Sequence, residues 1–199
     1  MTTGWPFSNL QMFGYDMLMV DPPWRFETRS EKGRIGARAK SPDKHYKTLP
    51  VSEIIDRFPV GDLASKNAIL WLWCTHPMID QQIECGRAWG FNFSTTGVWV
   101  KRGVSGKLAF GTGYKLRCAS EPFAIFTMGN PETVRNIRTV IEGPKREHSR
   151  KPEEALVEAR RMVTSGTMGR CVELFSRQSR DGWETWGDQY QLFDEKDAA

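Results

Sequence analysis

The run Met17-Leu18-Met19-Val20 ends in Asp21-Pro22-Pro23-Trp24, and this junction constrains the fold more than any other segment. Apolar residues in succession, without the alternation of a half-exposed strand, suit a strand covered on both faces. Two consecutive prolines then fix φ at about −65° and withdraw two N–H donors, so the strand must stop at Asp21 and leave through a rigid exit. A strand covered twice requires helices above and below it.

The rest of the chain has the periodicity to supply them. Val51, Ile54, Ile55 and Phe58 recur at helical spacing, which predicts a helix over Val51 to Phe58 with Ser52 and Glu53 in its first turn. Ala68 to Cys74 predicts a second buried strand, and Pro77 to Trp89 a helix stopped by Gly90. Phe93 to Val100, Glu121 to Met128 and Arg138 to Glu142 read as strands, with a glycine-rich loop after the first. Pro152 at the first helical position, with Glu153 and Glu154 behind it, opens a helix whose buried stripe is Ala155, Leu156, Ala159, Met162 and Val163. Cys171 to Phe175 reads as the last strand. Strands separated by helical stretches imply parallel pairing through right-handed crossovers, hence an open three-layer α/β sheet. Its ligand belongs at the carboxyl ends of the strands, where Asp21, Cys74, Lys101 and Phe175 are expected to converge. The 199 residues fit one domain, without an internal repeat or a linker.

Composition narrows the functional classes. The longest apolar run, Ala68 to Cys74, is far short of the roughly 20 residues a bilayer demands, so no membrane association is expected. No basic segment followed by an apolar core opens the chain, which makes the cytoplasm the simplest location. Cys74, Cys85, Cys118 and Cys171 form no C-x-x-C pair, so reduced thiols are expected and no metal site. With 28 Lys and Arg against 24 Asp and Glu, the net charge of +4 permits a nucleic-acid partner without requiring one. Position says more. Eight Lys and Arg against three acids lie between Arg25 and Lys47, and Lys101, Arg102, Lys107, Lys115 and Arg117 thread through glycines, so the loops at about 25–47 and 101–118 are candidate target-binding loops.

Asp21-Pro22-Pro23-Trp24 is the candidate catalytic segment, a tetrapeptide expected by chance in about one chain in a thousand of this size. The prolines hold the Asp21 carboxylate and the Pro22 carbonyl as acceptors, with an aromatic ring behind them. Two rigid acceptors beside a ring suit the exocyclic amine of a base. Such an amine is a poor nucleophile because its lone pair is delocalised, and gripping both hydrogens draws the nitrogen toward tetrahedral geometry. An electrophilic methyl group waiting in line would then need positioning and charge stabilisation more than a general base.

With these residues the chain resembles the DPPW-type (MT-A70-like) N(6)-adenine methyltransferases, a family that uses S-adenosylmethionine and includes the catalytic subunit of the eukaryotic messenger-RNA adenosine methyltransferase. The likeness extends to His45-Tyr46-Lys47-Thr48, Trp71-Leu72-Trp73, Trp99-Val100-Lys101, Gly111-Thr112-Gly113, Glu121-Pro122-Phe123, Arg146 to Glu153, Glu173-Leu174-Phe175-Ser176-Arg177 and Gly187-Asp188-Gln189. It implies a single Rossmann-like three-layer sandwich over 1–199, with a mostly parallel sheet in the permuted order of adenine methyltransferases, closest to the compact forms of bacteria and phages. By this resemblance Asp21, Pro22, Pro23 and Trp24 would hold and stack the target adenine, and Tyr46, Lys101 and Glu121 would line the nucleotide side of the cleft. Lys151 would face the cofactor carboxylate or the target nucleotide, and Glu173 the ribose hydroxyls of S-adenosyl-L-methionine. Phe175 and Arg177 would flank the adenosine and methionine parts of the cofactor, Asp188 and Gln189 would close over its adenosine end, and Asp21 would also contribute to cofactor binding. The residues themselves support Glu173 in part, since an acid in a buried strand is costly without a ligand or partner. Where the eukaryotic enzyme has a His-Asn pair, this chain has Ser179 and Arg180.

Other chemistries lack their signatures. Neither G-x-G-x-x-G nor G-x-x-x-x-G-K-[ST] occurs, and His45, His76 and His148 lack the companions of a zinc deaminase. A non-catalytic nucleic-acid-binding subunit of the same fold is the stronger rival, but a scaffold has no need of two acceptors aimed at an amine. The expected partner is nucleic acid, DNA ahead of RNA. With the motifs filling Asp21 to Gln189, recognition is expected to come from the two basic loops, a second copy or a partner subunit.

Overall fold

The computed structural model describes residues 4–25, 48–111, 113, 115–146, 150–163 and 169–194. Among the described residues seven strands form one sheet: β1 (Tyr15–Val20), β2 (Ala64–Trp73), β3 (Asn92–Arg102), β4 (Ser120–Met128), β5 (Val140–Pro144), β6 (Cys171–Leu174) and β7 (Glu184–Trp186), in the order β5-β3-β4-β2-β1-β6-β7. Three α-helices among the described residues flank it: α1 (Val51–Arg57), α2 (Ile79–Ala88) and α3 (Glu153–Met162). Among the described residues no helix is long and apolar enough to cross a membrane.

β1 behaves as its composition demands. Residues 17 to 20 are buried, pairing in parallel with β2 on one side and β6 on the other. Alternate residues feed two cores. Leu18, Val20, Leu70 and Leu72 face Ile54 of α1 and Cys85 of α2, while Met17, Met19, Ile69 and Trp71 face Ala155, Leu156 and Ala159 of α3. The result is the expected three-layer, Rossmann-like α/β sandwich with a mostly parallel sheet.

Several expectations need correction. β4 pairs antiparallel with both β2 and β3, so the sheet is mixed. The physical reason lies in the connection from β3, whose described residues hold no helix and therefore make no helical crossover. It first folds as a tight hairpin, with Gly103 N–H donating to the Lys107 carbonyl and Ala109 N–H to that of Lys101. Pro152 caps α3 from outside and Glu153 is its first residue. β2 begins four residues earlier than its apolar run, because Ala64 already pairs with Tyr15. Cys171–Leu174 is not the last strand, since β7 adds in parallel to β6. Phe175 lies outside the strand with φ of 60°, a left-handed conformation rare for an aromatic residue.

Gly86 shows how closely α2 lies on the sheet. A Cβ at this position would stand 2.4 Å from Cζ of the buried Phe126 ring. Helix propensity alone favours alanine there by about 1 kcal/mol, yet overpacking of this kind costs typically about 1–3 kcal/mol. Gly86→Ala is therefore expected to lower stability in urea unfolding, whereas an exposed helical glycine would gain from the same change.

Candidate active site

The exit from β1 is pinned by backbone hydrogen bonds. The Asp21 N–H donates to the Leu174 carbonyl (3.4 Å), the Trp24 N–H to Pro22 (2.8 Å) and the Leu49 N–H to Pro23 (2.8 Å). Arg25 returns its own N–H to the Leu49 carbonyl (2.9 Å), so the chain on either side of residues 26–47 is closed into a pair. Asp21 is thereby fixed at the carboxyl edge of the sheet. Its Oδ2 accepts from Lys151 Nζ at 2.8 Å, while no described residue donates to Oδ1, which stays open as an acceptor. The Pro22 carbonyl keeps a second lone pair beyond the one Trp24 uses.

Trp24 departs from the expected open stacking surface. Its ring is 4% exposed in the core beside Leu49, and its indole N–H donates to the Trp73 carbonyl at 3.1 Å. A buried indole N–H usually finds a partner, and here the Trp73 carbonyl supplies one, so the ring backs the Asp21–Trp24 loop as a wall.

Four charged side chains alternate along the strand ends. Lys151 Nζ bridges Asp21 and Glu121 Oε1 (2.6 Å), and Glu121 Oε2 continues to Lys101 Nζ (2.6 Å). Glu121 reaches this edge because β4 runs opposite to its neighbours, presenting its amino end where they present carboxyl ends. Tryptophans form the floor, with the Lys151 ammonium 5.3 Å from the Trp73 ring centroid and that of Lys101 4.6 Å from Trp99. Lys151 is only 6% exposed. Burial alone would lower its pKa, but Asp21 and Glu121 outweigh that and raise it. Burial likewise pushes both carboxyls up. Glu121 nevertheless ends below its ordinary value because it has two cations, whereas Asp21, with one cation and the nearby charge of Glu121, ends above it.

Glu173 stands beside Met19 in register and shares the sheet face that carries α3. Its Oε2 accepts from Ser176 Oγ (2.9 Å) and from Arg180, and burial pushes its pKa up to about 7 against the pull of Arg180. An acid in a buried strand needs a partner, and Arg180 and Ser176 are the ones the fold supplies. The signal was the arginine seven residues on, at the position where the chain departs from the eukaryotic pattern. Ser179 is also used internally, donating through N–H and Oγ to Asp194.

The remaining candidates gather at the ends of β6 and β7. The Phe175 ring packs edge-on against Phe58 and Trp186, with centroids 5.0 and 5.4 Å away. Arg177 Nε donates to Gln189 Oε1 (3.1 Å), its guanidinium lying over Phe193, and Asp188 is exposed after β7. Cys74 is buried at the end of β2, its thiol pushed up to about 12 by burial, so it takes no part in chemistry near neutrality. Tyr46 and most of the first basic loop lie outside the described residues.

The raised pKa of Glu173 has a signed consequence for stability. Between about pH 4.5 and 7 the folded chain holds a proton that the unfolded chain has released, so this residue's contribution falls as pH rises through that window. Glu173→Gln is expected to flatten that part of the curve of unfolding free energy against pH. A slope unchanged from the parent protein would contradict it.

A family model described as MT-A70 matches residues 15–189, from the first residue of β1 to Gln189 beyond β7. The chain is 24% identical over 196 residues to the Type II methyltransferase M.MunI of Mycoplasma sp, covering 91% of this chain and 80% of that protein. It is 28% identical over 180 residues to the N(6)-adenosine-methyltransferase MT-A70-like of Arabidopsis thaliana, covering 88% of this chain but 24% of the relative. With the N(6)-adenine-specific methyltransferase METTL4 of Mus musculus it shares 25% over 201 residues, covering 92% and 39%. The match takes in every strand of the sheet and each end of the Asp21–Lys151–Glu121–Lys101 chain, and the protein belongs to the MT-A70 family.

Proposed function

We propose that this chain transfers a methyl group from S-adenosyl-L-methionine to the 6-amino group of adenine in DNA. The observation that carries the reading is the Asp21 carboxylate, fixed through one oxygen by Lys151 and open at the other, at the rigid exit of the central strand. The plant N(6)-adenosine-methyltransferase and the mouse N(6)-adenine-specific methyltransferase among the relatives support adenine as the target. The 80% coverage of the Type II methyltransferase, against 24% of the plant N(6)-adenosine-methyltransferase, supports a compact modification enzyme and hence DNA ahead of RNA.

The residues fit the cofactor. Glu173 has an oxygen that no described residue occupies, Asp188 is an exposed carboxylate nearby in the fold, and Lys151 is a fixed cation, which suit ribose hydroxyls, the adenosine end and a carboxylate in turn. When bound, S-adenosylmethionine supplies an electrophilic methyl group on a sulfonium. Everything else falls to the chain. Asp21 Oδ1 and the Pro22 carbonyl accept the two amine hydrogens and turn the nitrogen lone pair toward the methyl group, with Pro23 and Trp24 holding those acceptors rigid. Their contribution is alignment, and the negative charge of Asp21 stabilises the ammonium that forms before its proton leaves to water. Lys101 and Glu121 line the nucleotide side, joined in this reading by Tyr46, and Phe175, Arg177 and Gln189 frame the cofactor.

A duplex target must present its adenine outside the stack, at a cost of a few kcal/mol. The basic loops at 25–47 and 101–118 offset that cost by holding phosphates. The reading takes 1–199 as one methyltransferase domain working in the cytoplasm, with a second copy or a partner subunit completing target recognition.

Nucleoside mass spectrometry after incubation with cofactor and either DNA or RNA tests the proposal. N(6)-methyladenine is expected in DNA. Its appearance in RNA alone would reassign the polymer, and its absence from both would remove the activity. Asp21→Ala is expected to lower the rate by at least about 10²-fold, with cofactor binding largely kept.

A further inference from the structure

Arg180 sits at the centre of a partly buried network. Its Nη1 binds Glu173 Oε2, while Nε and Nη2 reach Glu153 Oε2 and Oε1 at 3.0 and 3.1 Å. Glu153, the first residue of α3, is also held by Arg146 Nη1 at 2.5 Å. The Arg180 and Glu173 side chains are 11% and 10% exposed, so the contact between them is shielded from solvent. Every hydrogen bond to the Glu173 carboxylate falls on Oε2, with Ser176 as the second donor, and no described residue donates to Oε1.

Glu173 is thus bound at one oxygen and presented at the other, as Asp21 is by Lys151. We infer that Arg180 is a positioning residue for cofactor binding: it pins Oε2 of Glu173 and keeps the carboxylate charged, so that Oε1 accepts hydrogen bonds from the vicinal hydroxyls of the nucleoside. Glu153 in turn orients the guanidinium and ties it to the start of α3, two residues from Lys151. The inference rests on the reading that this site takes S-adenosylmethionine.

The charges around Glu173 make the role separable from plain packing. Asp21 from the β1 exit and Glu153 from α3 both disfavour its ionised form, as does burial, and Arg180 is the cation opposing them. Without Arg180 the carboxyl takes up a proton at higher pH. A protonated acid is a weaker acceptor than a carboxylate, because charge-assisted hydrogen bonds are roughly twice as strong as neutral ones. A guanidinium that merely stapled α3 to the β6 exit would, when removed, weaken binding equally at every pH.

Titration calorimetry of the full chain with S-adenosylhomocysteine, which cannot turn over, from pH 6 to 9 separates these cases. In the parent protein affinity is expected to fall below about pH 7. In Arg180→Ala the midpoint moves up by at least one unit, so affinity at pH 7.5 drops by at least about threefold and recovers toward the parent value by pH 9. Arg180→Lys, which also serves should Arg180→Ala fail to fold, is expected to restore part of the shift, and Glu173→Gln to bind weakly without pH dependence. The 2′,3′-dideoxy analogue of S-adenosylhomocysteine is expected to bind the parent protein and Arg180→Ala equally. An unchanged midpoint, or a loss of affinity uniform across pH that Arg180→Lys does not repair, would overturn the positioning role. Failure of the parent protein to bind S-adenosylhomocysteine would overturn the cofactor reading itself, and this inference with it.

Discussion

The ammonium of Lys151 lies between two carboxylates at the edge of the sheet, and the rest of the site depends on that placement. Alone, any one of Asp21, Glu121 or Lys151 would be costly in so buried a position. Together with Lys101 they form an alternating line of two anions and two cations, closed by contacts of 2.6 to 2.8 Å over a tryptophan floor. The line sums to zero charge and fixes the rotamer of every member. Asp21 emerges with one oxygen committed and the other available, which is what an acceptor for a neutral amine requires.

The topology exists to bring those four together. Asp21 and Lys101 stand at carboxyl ends of strands that run in one direction, where an open α/β sheet ordinarily gathers its ligand groups. Glu121 starts β4, and only the reversal of that strand brings its amino end to the same edge. Lys151 arrives on the segment leading into α3, whose buried alanines let the helix lie close on the face made by Met17, Met19 and Trp71. The same face carries Glu173 on β6, so the two carboxylates with an open oxygen share one side of the sheet. Four of the chain's eight tryptophans serve this arrangement. Trp71, Trp73 and Trp99 are all but fully buried on the α3 face, and Trp24 is sealed against the Trp73 carbonyl.

What was legible in the sequence had a local physical cause. β1 and its abrupt end follow from the apolar run and two prolines, the helices from spacing and first-turn acids, and the fixed placement of Asp21 at the strand exit from the prolines behind it. The reversal of β4 was not legible because nothing local distinguishes a parallel from an antiparallel apolar strand; only the absence of a helix between 103 and 119 hinted at it. β7 escaped because Glu184-Thr185-Trp186 is too short to show a period and takes its stability from β6 and from the rings of Phe7, Phe58 and Phe175 around Trp186. The burial of Trp24 and the link from Arg180 to Glu153 join residues 49 and 27 positions apart, and no pattern within one element could reveal them. Glu173 was half legible: its need for a partner is written in the strand, but the partner is supplied by a turn that Phe175 enters with a positive φ.

The central claim is that Asp21 and Lys151 are energetically one unit within a neutral line. A double-mutant cycle in urea unfolding, with Asp21→Asn, Lys151→Met and the double variant, measures it directly. Either single change leaves the line one charge out of balance and is expected to be destabilising, Lys151→Met the more so, by up to about 3 kcal/mol, because it strips Asp21 of its cation, whereas removing both leaves Glu121 paired with Lys101 and is expected to cost less than Lys151→Met alone. Additive losses in the double variant would contradict the account, since they would mean that the two side chains stabilise the fold independently.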